Sequence, residues 1–430
     1  MPTVPSVWRE RDFRRLWAAT GVSMLGSFVT RTALPFAAIL VLGAGAAEVG
    51  LIRGAELVAG LVVGLIAGAW VDRLRRRPIL IWTDLGRALL LGSVPVAFVL
   101  GGLTLLHLVL VAFGAAILST FFDTADRAYL PTVIGRERLV EANSTLTGTS
   151  AAAEFLGFGI SGWLIQFLTA PIAIALDALS FLVSALFLRT IRSEEPAPPA
   201  PETRTSVLAE IREGLALTLG DPILRPLALA DAAVAGFWGV FGSVFLVFAT
   251  DLGFSPAAIG MVAAVGGLAS LAGAAVAGHG ASRMGIGTFL IGSLVLVAIG
   301  NTAIALAPDA SIVGFAFVLI QQVLSDSAMT AYDVIAVSIR QATVDDTRLG
   351  RVVASFHVLA MAAMLIGTVV GAAVAETLGL RAAMWLGAIG GVIAVVILAT
   401  SRVRSLRSMP GGLPTPASAI IAGEDVPLGE

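Results

Sequence analysis

The side chains able to do chemistry in this sequence are few, and several sit deep inside apolar runs. Glu154, Arg31, Glu56, Asp231, Asp326 and Asp177 each interrupt a long hydrophobic segment. If those segments lie in lipid, a charge at mid-bilayer costs roughly 2.5 to 3.5 kcal/mol on insertion scales, so each needs a partner, a wet cavity or a proton. Glu154, near the middle of its segment, is the deepest acid. It suits binding of a proton or a cationic substrate, against the plainer role of a hydrogen bond to Ser150 or Ser161. Arg31 lies near the middle of the first run and Glu56 in the outer half of the second, which makes an Arg31 to Glu56 pair feasible. Asp231 and Asp326 lie in the inner halves of their runs, and Asp177 toward the outside of its own.

A second kind of chemistry is concentrated between two apolar runs, in Gly68-Ala-Trp-Val-Asp72-Arg73-Leu-Arg75-Arg76-Arg77. Five charges in six residues mark an aqueous boundary, and Asp72 at the end of a run can face the N-terminus of a neighbouring helix. Such a contact is worth about 0.3 to 1 kcal/mol when exposed and up to about 2 when partly buried. Other chemistry has no support. The chain has no cysteine, so disulfides and thiolate metal sites are excluded. His107, His279 and His357 have no metal-ligand spacing, and neither a nucleophile constellation nor a Walker phosphate loop is present. The sequence therefore predicts no metal, no cofactor and no enzyme. A net charge of -2 argues against nucleic acid as a partner.

The elements that must carry these residues follow from composition. The chain of 430 residues is 57% hydrophobic and only 13% charged, with mean hydropathy +0.94. That leaves too few charges to solvate a globular surface, so lipid is the solvent for most of it. Apolar runs of roughly 20 to 28 residues select helices over barrel strands. Twelve spans are expected: Leu16 to Leu42, Val49 to Trp70, Ile79 to Leu100, Leu103 to Asp126, Leu139 to Leu168, Pro171 to Leu188, Ile223 to Thr250, Pro256 to Gly278, Gly285 to Leu306, Ser311 to Ala331, Arg348 to Ala375 and Arg381 to Thr400. The first is too long for a signal h-region and is expected to remain in the protein. All cationic side chains are arginine, and 23 of the 27 fall in the termini and alternate loops of one side, which predicts that both termini are cytoplasmic. The acidic, proline-rich stretch from Glu194 to Pro201 reads as a linker. Val207, Leu208, Ile211, Leu215 and Leu219 then mark an amphipathic helix on the cytoplasmic face. These features divide the chain into a six-helix bundle (1–192), a linker with that helix (193–221), a second six-helix bundle (222–403) and a disordered tail (404–430).

An internal repeat supports the division. Near an offset of about 210, Phe13-Arg14-Arg15-Leu16 matches Leu224-Arg225-Pro226-Leu227, Val49-Gly50-Leu51 matches Ile259-Gly260-Met261, and Gly68-x3-Asp72-Arg73 matches Gly278-x3-Ser282-Arg283. Slightly out of phase, Asp123 to Tyr129 matches Asp326 to Tyr332, and these are the only two tyrosines. Two homologous halves place a cavity at their interface. The fold expected is an all-α membrane protein with twelve transmembrane helices in two pseudo-symmetric six-helix bundles.

The stretch from Gly68 to Arg77 resembles the cytoplasmic signature G-x-x-x-D-R-x-G-R-R of the major facilitator superfamily. It matches at Gly68, Asp72, Arg73, Arg76 and Arg77 and departs at Arg75, where glycine is usual. The resemblance covers Phe13 to about Arg402. Phe13-Arg-Arg-Leu-Trp17, Ala33-Leu-Pro35, Asp84-Leu-Gly-Arg87-Ala88, Leu130-Pro131 and Leu139-Val-Glu-Ala-Asn143 are similar to the bacterial branch of enterobactin-type and macrolide-type exporters. Two positions depart from the drug antiporters of the superfamily: Ser27 stands where many relatives carry an acid, and Gly157-Phe158 where a Gly-Pro pair is usual. The resemblance points Asp72 at the start of the eleventh span, Asp345-Asp346-Thr347, and Arg73 and Arg77 at Asp123 or Asp126, making a conformational latch. Tyr129 and Tyr332 are then expected at a cytoplasmic gate. The function implied is secondary active transport by alternating access in the bacterial inner membrane, with export of a small amphipathic organic molecule in exchange for protons. Uptake or uncoupled movement of a solute, and a non-transporting sensor with the same fold, are the rivals. The sequence encodes neither the substrate nor an oligomeric state.

Overall fold

The computed structural model describes residues 6–71, 73–193, 195 and 207–410. Asp72, most of the proline-rich linker and the tail from residue 411 lie outside the described residues. The helices in order are α1 (Arg11–Leu42), α2 (Ala46–Val71), α3 (Arg76–Val99), α4 (Leu105–Ile134), α5 (Leu139–Leu168), α6 (Ala170–Thr190), α7 (Val207–Gly220), α8 (Leu224–Asp251), α9 (Pro256–Met284), α10 (Ile286–Leu306), α11 (Ile312–Thr343), α12 (Asp346–Leu378) and α13 (Leu380–Ala399). No strand occurs among the described residues. Eleven of these helices are, over the described residues, long and apolar enough to cross a membrane, and α2, with 26 residues, matches them in length. The protein is an all-α membrane protein.

Its outer surface is apolar, as lipid solvent requires. Large side chains such as Leu89, Val99, Ile312 and Leu378 are all more than 70% exposed. Small residues and a minority of aromatics fill the inside, since without a hydrophobic drive between helices close backbone approach supplies the packing. Gly239 and Gly367 show the effect, because a Cβ at either would collide with the facing backbone of α12 or α8.

Two compact units are present, one formed by Met1–Arg204 with Ala249–Ala264, the other by Thr205–Phe248 with Val265–Glu430. In the first, α1 and α3 pack along α6, and α2 along α4. One end of this unit has a core of Phe13, Leu16, Leu80, Phe122, Tyr129 and Leu188. The start of α9 joins the unit through α5: a Cβ on Gly162 would collide with the Pro256–Ala257 backbone and one on Gly260 with that of Phe158 and Gly162, and the Gln166 amide oxygen accepts the Ala257 N–H at 3.3 Å. In the second unit α10 packs along α11 and α13, and the core includes Leu227, Leu290, Tyr332, Ile339 and Val352.

Three observations adjust the expected boundaries. The sequence predicts fourth and tenth spans ending at Asp126 and Ala331, yet α4 and α11 run on to Ile134 and Thr343. A helix of 30 residues is about 45 Å long against about 30 Å of hydrocarbon, so its charged last turns project into the interface at little cost. The amphipathic α7 packs on α12, with Gly214 against the Arg351 carbonyl and Glu213 bonded to Arg351 at 2.7 Å. Beyond α13, where a tail was expected from residue 404, a 3-10 turn over Arg402–Ser405 comes first. Val403 in this turn and Met409 beyond it are buried, with Leu406 packed beside them, against the core of the second unit.

Candidate functional site

The arginine-rich end of the first unit is built around the start of α3. Arg77, in the first turn, donates through Nε to the Leu188 carbonyl at 3.1 Å and through Nη2 to the Arg189 carbonyl at 2.6 Å. These are last-turn carbonyls of α6, which have no partner inside their own helix. The backbone N–H groups of Arg76 and Arg77 donate to the Glu195 carboxylate at 2.5 and 3.3 Å, and Arg76 Nη1 lies 3.5 Å from it. An acid is thus seated on a helix N-terminus, the favoured end for negative charge. Arg73 and Arg75 are exposed. The expected pairing of Arg73 and Arg77 with Asp123 or Asp126 is therefore not made: Arg77 is held by α6, and the cations acting on Asp123 are Arg87 and Arg127. Gly68 lies in the last turns of α2.

Beneath this end is a buried ion pair that the sequence reading passed over. Asp84 is fully buried and Arg87 is 4% exposed, and they bond to each other across one turn of α3. The Arg87 guanidinium is sandwiched between the rings of Phe122, 4.3 Å from its centroid, and Phe181, at 4.1 Å. Its Nη1 reaches Ser119 Oγ at 3.5 Å. Asp123 and Asp177 add their charges. Asp177 is itself buried and accepts from Ser180 Oγ at 3.0 Å. The paired charge and two aromatic faces make a cation tolerable here. The signal available in the sequence was the Asp84-x-x-Arg87 spacing, which puts opposite charges one helical turn apart.

Elsewhere in the first unit, Arg53 bonds Glu56 at 3.0 Å and also donates to the Arg31 carbonyl at 2.9 Å. Glu56 is thus taken by Arg53 rather than by Arg31, because a partner three residues away on the same helix face needs no cross-helix reach. The charges acting on the Arg31 side chain are Arg53, Glu56 and Glu154. Two cations and two acids from α1, α2 and α5 therefore form a balanced cluster. Within it Glu154 is exposed, and its carboxylate has no hydrogen bond or ion pair among the described residues. Its suggested structural partner Ser161 donates instead to the Phe158 carbonyl at 2.8 Å.

The second unit holds a different arrangement. Tyr332 donates to Asp231 at 2.7 Å, and Arg340 lies 3.7 Å from the same carboxylate with its guanidinium 4.6 Å above the Phe356 ring. Tyr129 and Tyr332 are both fully buried. They were expected to line a gate but are core residues of their own units, since an aromatic ring gives a large apolar payload and only the hydroxyl asks for a partner. Tyr332 finds one in Asp231, whereas the Tyr129 hydroxyl has none among the described residues. Asp326 accepts from the Gln322 amide, and both press on Gly266 of α9, where a side chain would collide with them. A groove of about 490 Å³ between α10, α11 and α13 is lined by Ile299, Leu306, Phe317 and Val392, with Thr302 as a polar member. It carries no charged side chain.

Comparison with known proteins bears on this geometry. The family model described as Major Facilitator Superfamily matches residues 16–247 and 227–423. The multidrug efflux pump Tap of Mycolicibacterium fortuitum is 30% identical over 375 residues, covering 83% of this chain and 87% of that one. The putative bacilysin exporter BacE of Bacillus subtilis (strain 168) is 23% identical over 194 residues, covering 43% and 46%. Among solved structures, a bacterial homologue of the iron transporter ferroportin in an inward-facing state aligns with TM-score 0.74 at 17% identity, over 92% of this chain and 99% of that one. The nucleoside transporter NupG aligns with TM-score 0.75 at 11% identity, over 90% and 98%.

Proposed function

Because the chain belongs to the major facilitator superfamily and is a multi-pass membrane transporter rather than an enzyme, we propose that it exports a small amphipathic organic molecule in exchange for protons by alternating access. Both termini face the cytoplasm in this reading, and the protein sits in the bacterial inner membrane, as the arginine distribution supports. The observation that carries proton coupling is Glu154. It is accessible and unbonded among the described residues, and it belongs to a cluster that is electrically balanced only while it is ionised. Protonating Glu154 leaves that cluster with an excess positive charge. Two orientations of the transporter that solvate this charge differently then shift in population with the proton. Export is supported by likeness to an efflux pump over most of both chains.

The test is substrate accumulation in inverted membrane vesicles, screened with labelled cationic and neutral amphiphiles. Wild type is expected to accumulate its substrate only while the proton gradient stands, and Glu154→Gln to retain binding while losing gradient-driven accumulation by at least about tenfold. Accumulation that survives an uncoupler would instead identify a facilitator. Absence of flux for every compound, together with a co-purifying partner, would identify a sensor.

A further inference from the structure

A groove of about 790 Å³ opens on the outer face of the first unit, between the start of α3 and the end of α6, and no part of the transport reading uses it. Arg75, Arg77, Arg189 and Arg192 line it, with Pro78, Ile81, Trp82 and Leu85 as its apolar part and Ser193 and Glu195 beside them. Glu195 is the acid in the groove, and it is neutralised by Arg76 and two backbone N–H groups. Arg77 is held by the carbonyls of α6. Arg75, Arg189 and Arg192 are exposed, and among the described residues no acceptor engages their guanidinium groups.

Three unengaged guanidinium groups at the rim of a half-apolar groove define the ligand by its chemistry. Trp82 is 70% exposed and Leu89 75%. Together with Val96 they recur every seven residues, so this face of α3 is its lipid-facing stripe. Trp82 lies about 9 Å into α3, beyond the arginines at its start, and tryptophan is enriched at membrane–water interfaces. A free anion would find charge here but no use for the apolar floor, and a zwitterionic lipid would bring its own cation against the arginines. We propose that the groove binds a glycerophospholipid of net negative head group, such as phosphatidylglycerol, in the leaflet at the arginine-rich end. The phosphodiester is held by the forked donors of Arg75, Arg189 and Arg192, and the glycerol and first methylenes lie on Ile81, Trp82 and Leu85.

Quenching of tryptophan fluorescence by brominated-chain phosphatidylglycerol, measured on the full chain in vesicles of brominated phosphatidylglycerol mixed with phosphatidylcholine, tests this. Wild type is expected to select phosphatidylglycerol over brominated phosphatidylcholine by about tenfold or more. Each arginine is worth about fivefold near such a surface. The Arg75→Gln, Arg189→Gln, Arg192→Gln triple variant is expected to bring selectivity to within about twofold of unity. A matched triple outside the groove, in the segment after α13, Arg402→Gln, Arg404→Gln, Arg407→Gln, is expected to keep it. Single Arg189→Gln and Arg192→Gln variants, each expected to lose about threefold to fivefold, carry the test if the groove triple melts early. Equal losses in the two triples, unchanged selectivity in the groove variants, or displacement of the lipid by millimolar inorganic phosphate would each overturn the proposal.

Discussion

The Asp84–Arg87 pair shows how much one helical turn can hold in hydrocarbon. Without Asp84 the Arg87 guanidinium between Phe122 and Phe181 would lose its bonded partner and keep only the charges of Asp123 and Asp177, and without Arg87 the buried Asp84 would lose its ion pair. Breaking one side of a buried pair costs about 3 to 5 kcal/mol, whereas replacing both with apolar groups of similar shape is often close to neutral. Asp84→Asn and Arg87→Met are therefore each expected to lower resistance to SDS unfolding by about 3 kcal/mol. The double variant Asp84→Asn, Arg87→Met should be milder than the two single losses added together. Additive single losses in that cycle would show that the charges do not act as a pair. What the sequence disclosed at this scale was depth and sign. Glu154, Arg31, Asp177 and Asp231 were recognisable as charges in apolar runs, but their partners were not. Arg77 is satisfied by backbone carbonyls, and a carbonyl has no sequence signature. Glu56 pairs with Arg53, one turn away on the same helix, so the expected Arg31 partner gave way to a local one whose spacing was already in the sequence.

At the scale of the element, the repeat read from the sequence becomes a statement about turns. Thr169 joins α5 to α6 with φ 79° and ψ 155°, and Gly379 joins α12 to α13 with φ 94° and ψ 159°. The two positions differ by the expected offset of 210. In this region of backbone space a β-branched residue is strained by about 1 to 3 kcal/mol, while glycine is at ease. Thr169→Gly is expected to stabilise the protein by about 1 kcal/mol after the entropy that glycine loses on folding. A detergent-solubilised melting curve checks this, and a lower melting temperature would show that the threonine side chain contributes more than its backbone costs. Helix existence was legible from the apolar runs alone, because lipid leaves the backbone no other solution. The ends of α4 and α11 were not, since hydropathy stops reporting where a helix leaves the hydrocarbon but its backbone bonds continue. The 3-10 turn after α13 was missed for the opposite reason: Val403, Leu406 and Met409 are too few to stand out in a polar stretch.

For the whole molecule, two units of similar make carry dissimilar charges, and that asymmetry bears on how the transporter is biased between its orientations. The segment matching Gly68-x3-Asp72-Arg73 is Gly278-x3-Ser282-Arg283. Ser282 lies inside α9, where its hydroxyl donates to the His279 carbonyl at 2.9 Å, so it is satisfied within its own helix and has no charge to offer. We expect Asp72 alone to supply a carboxylate to a helix N-terminus in one orientation and to lose that contact in the other, as the family resemblance implies. The resemblance points it at the segment starting at Asp345, whose side chain makes no capping bond. A charge–dipole contact of about 0.3 to 2 kcal/mol corresponds to a shift of about 2-fold to 30-fold in the balance of orientations. Asp72→Asn is therefore expected to slow transport within that range while leaving the melting temperature within a few degrees of wild type. Ser282→Ala should leave both unchanged. Equal rates for wild type and Asp72→Asn would remove the latch, and an equal slowing in Ser282→Ala would show that both halves share it.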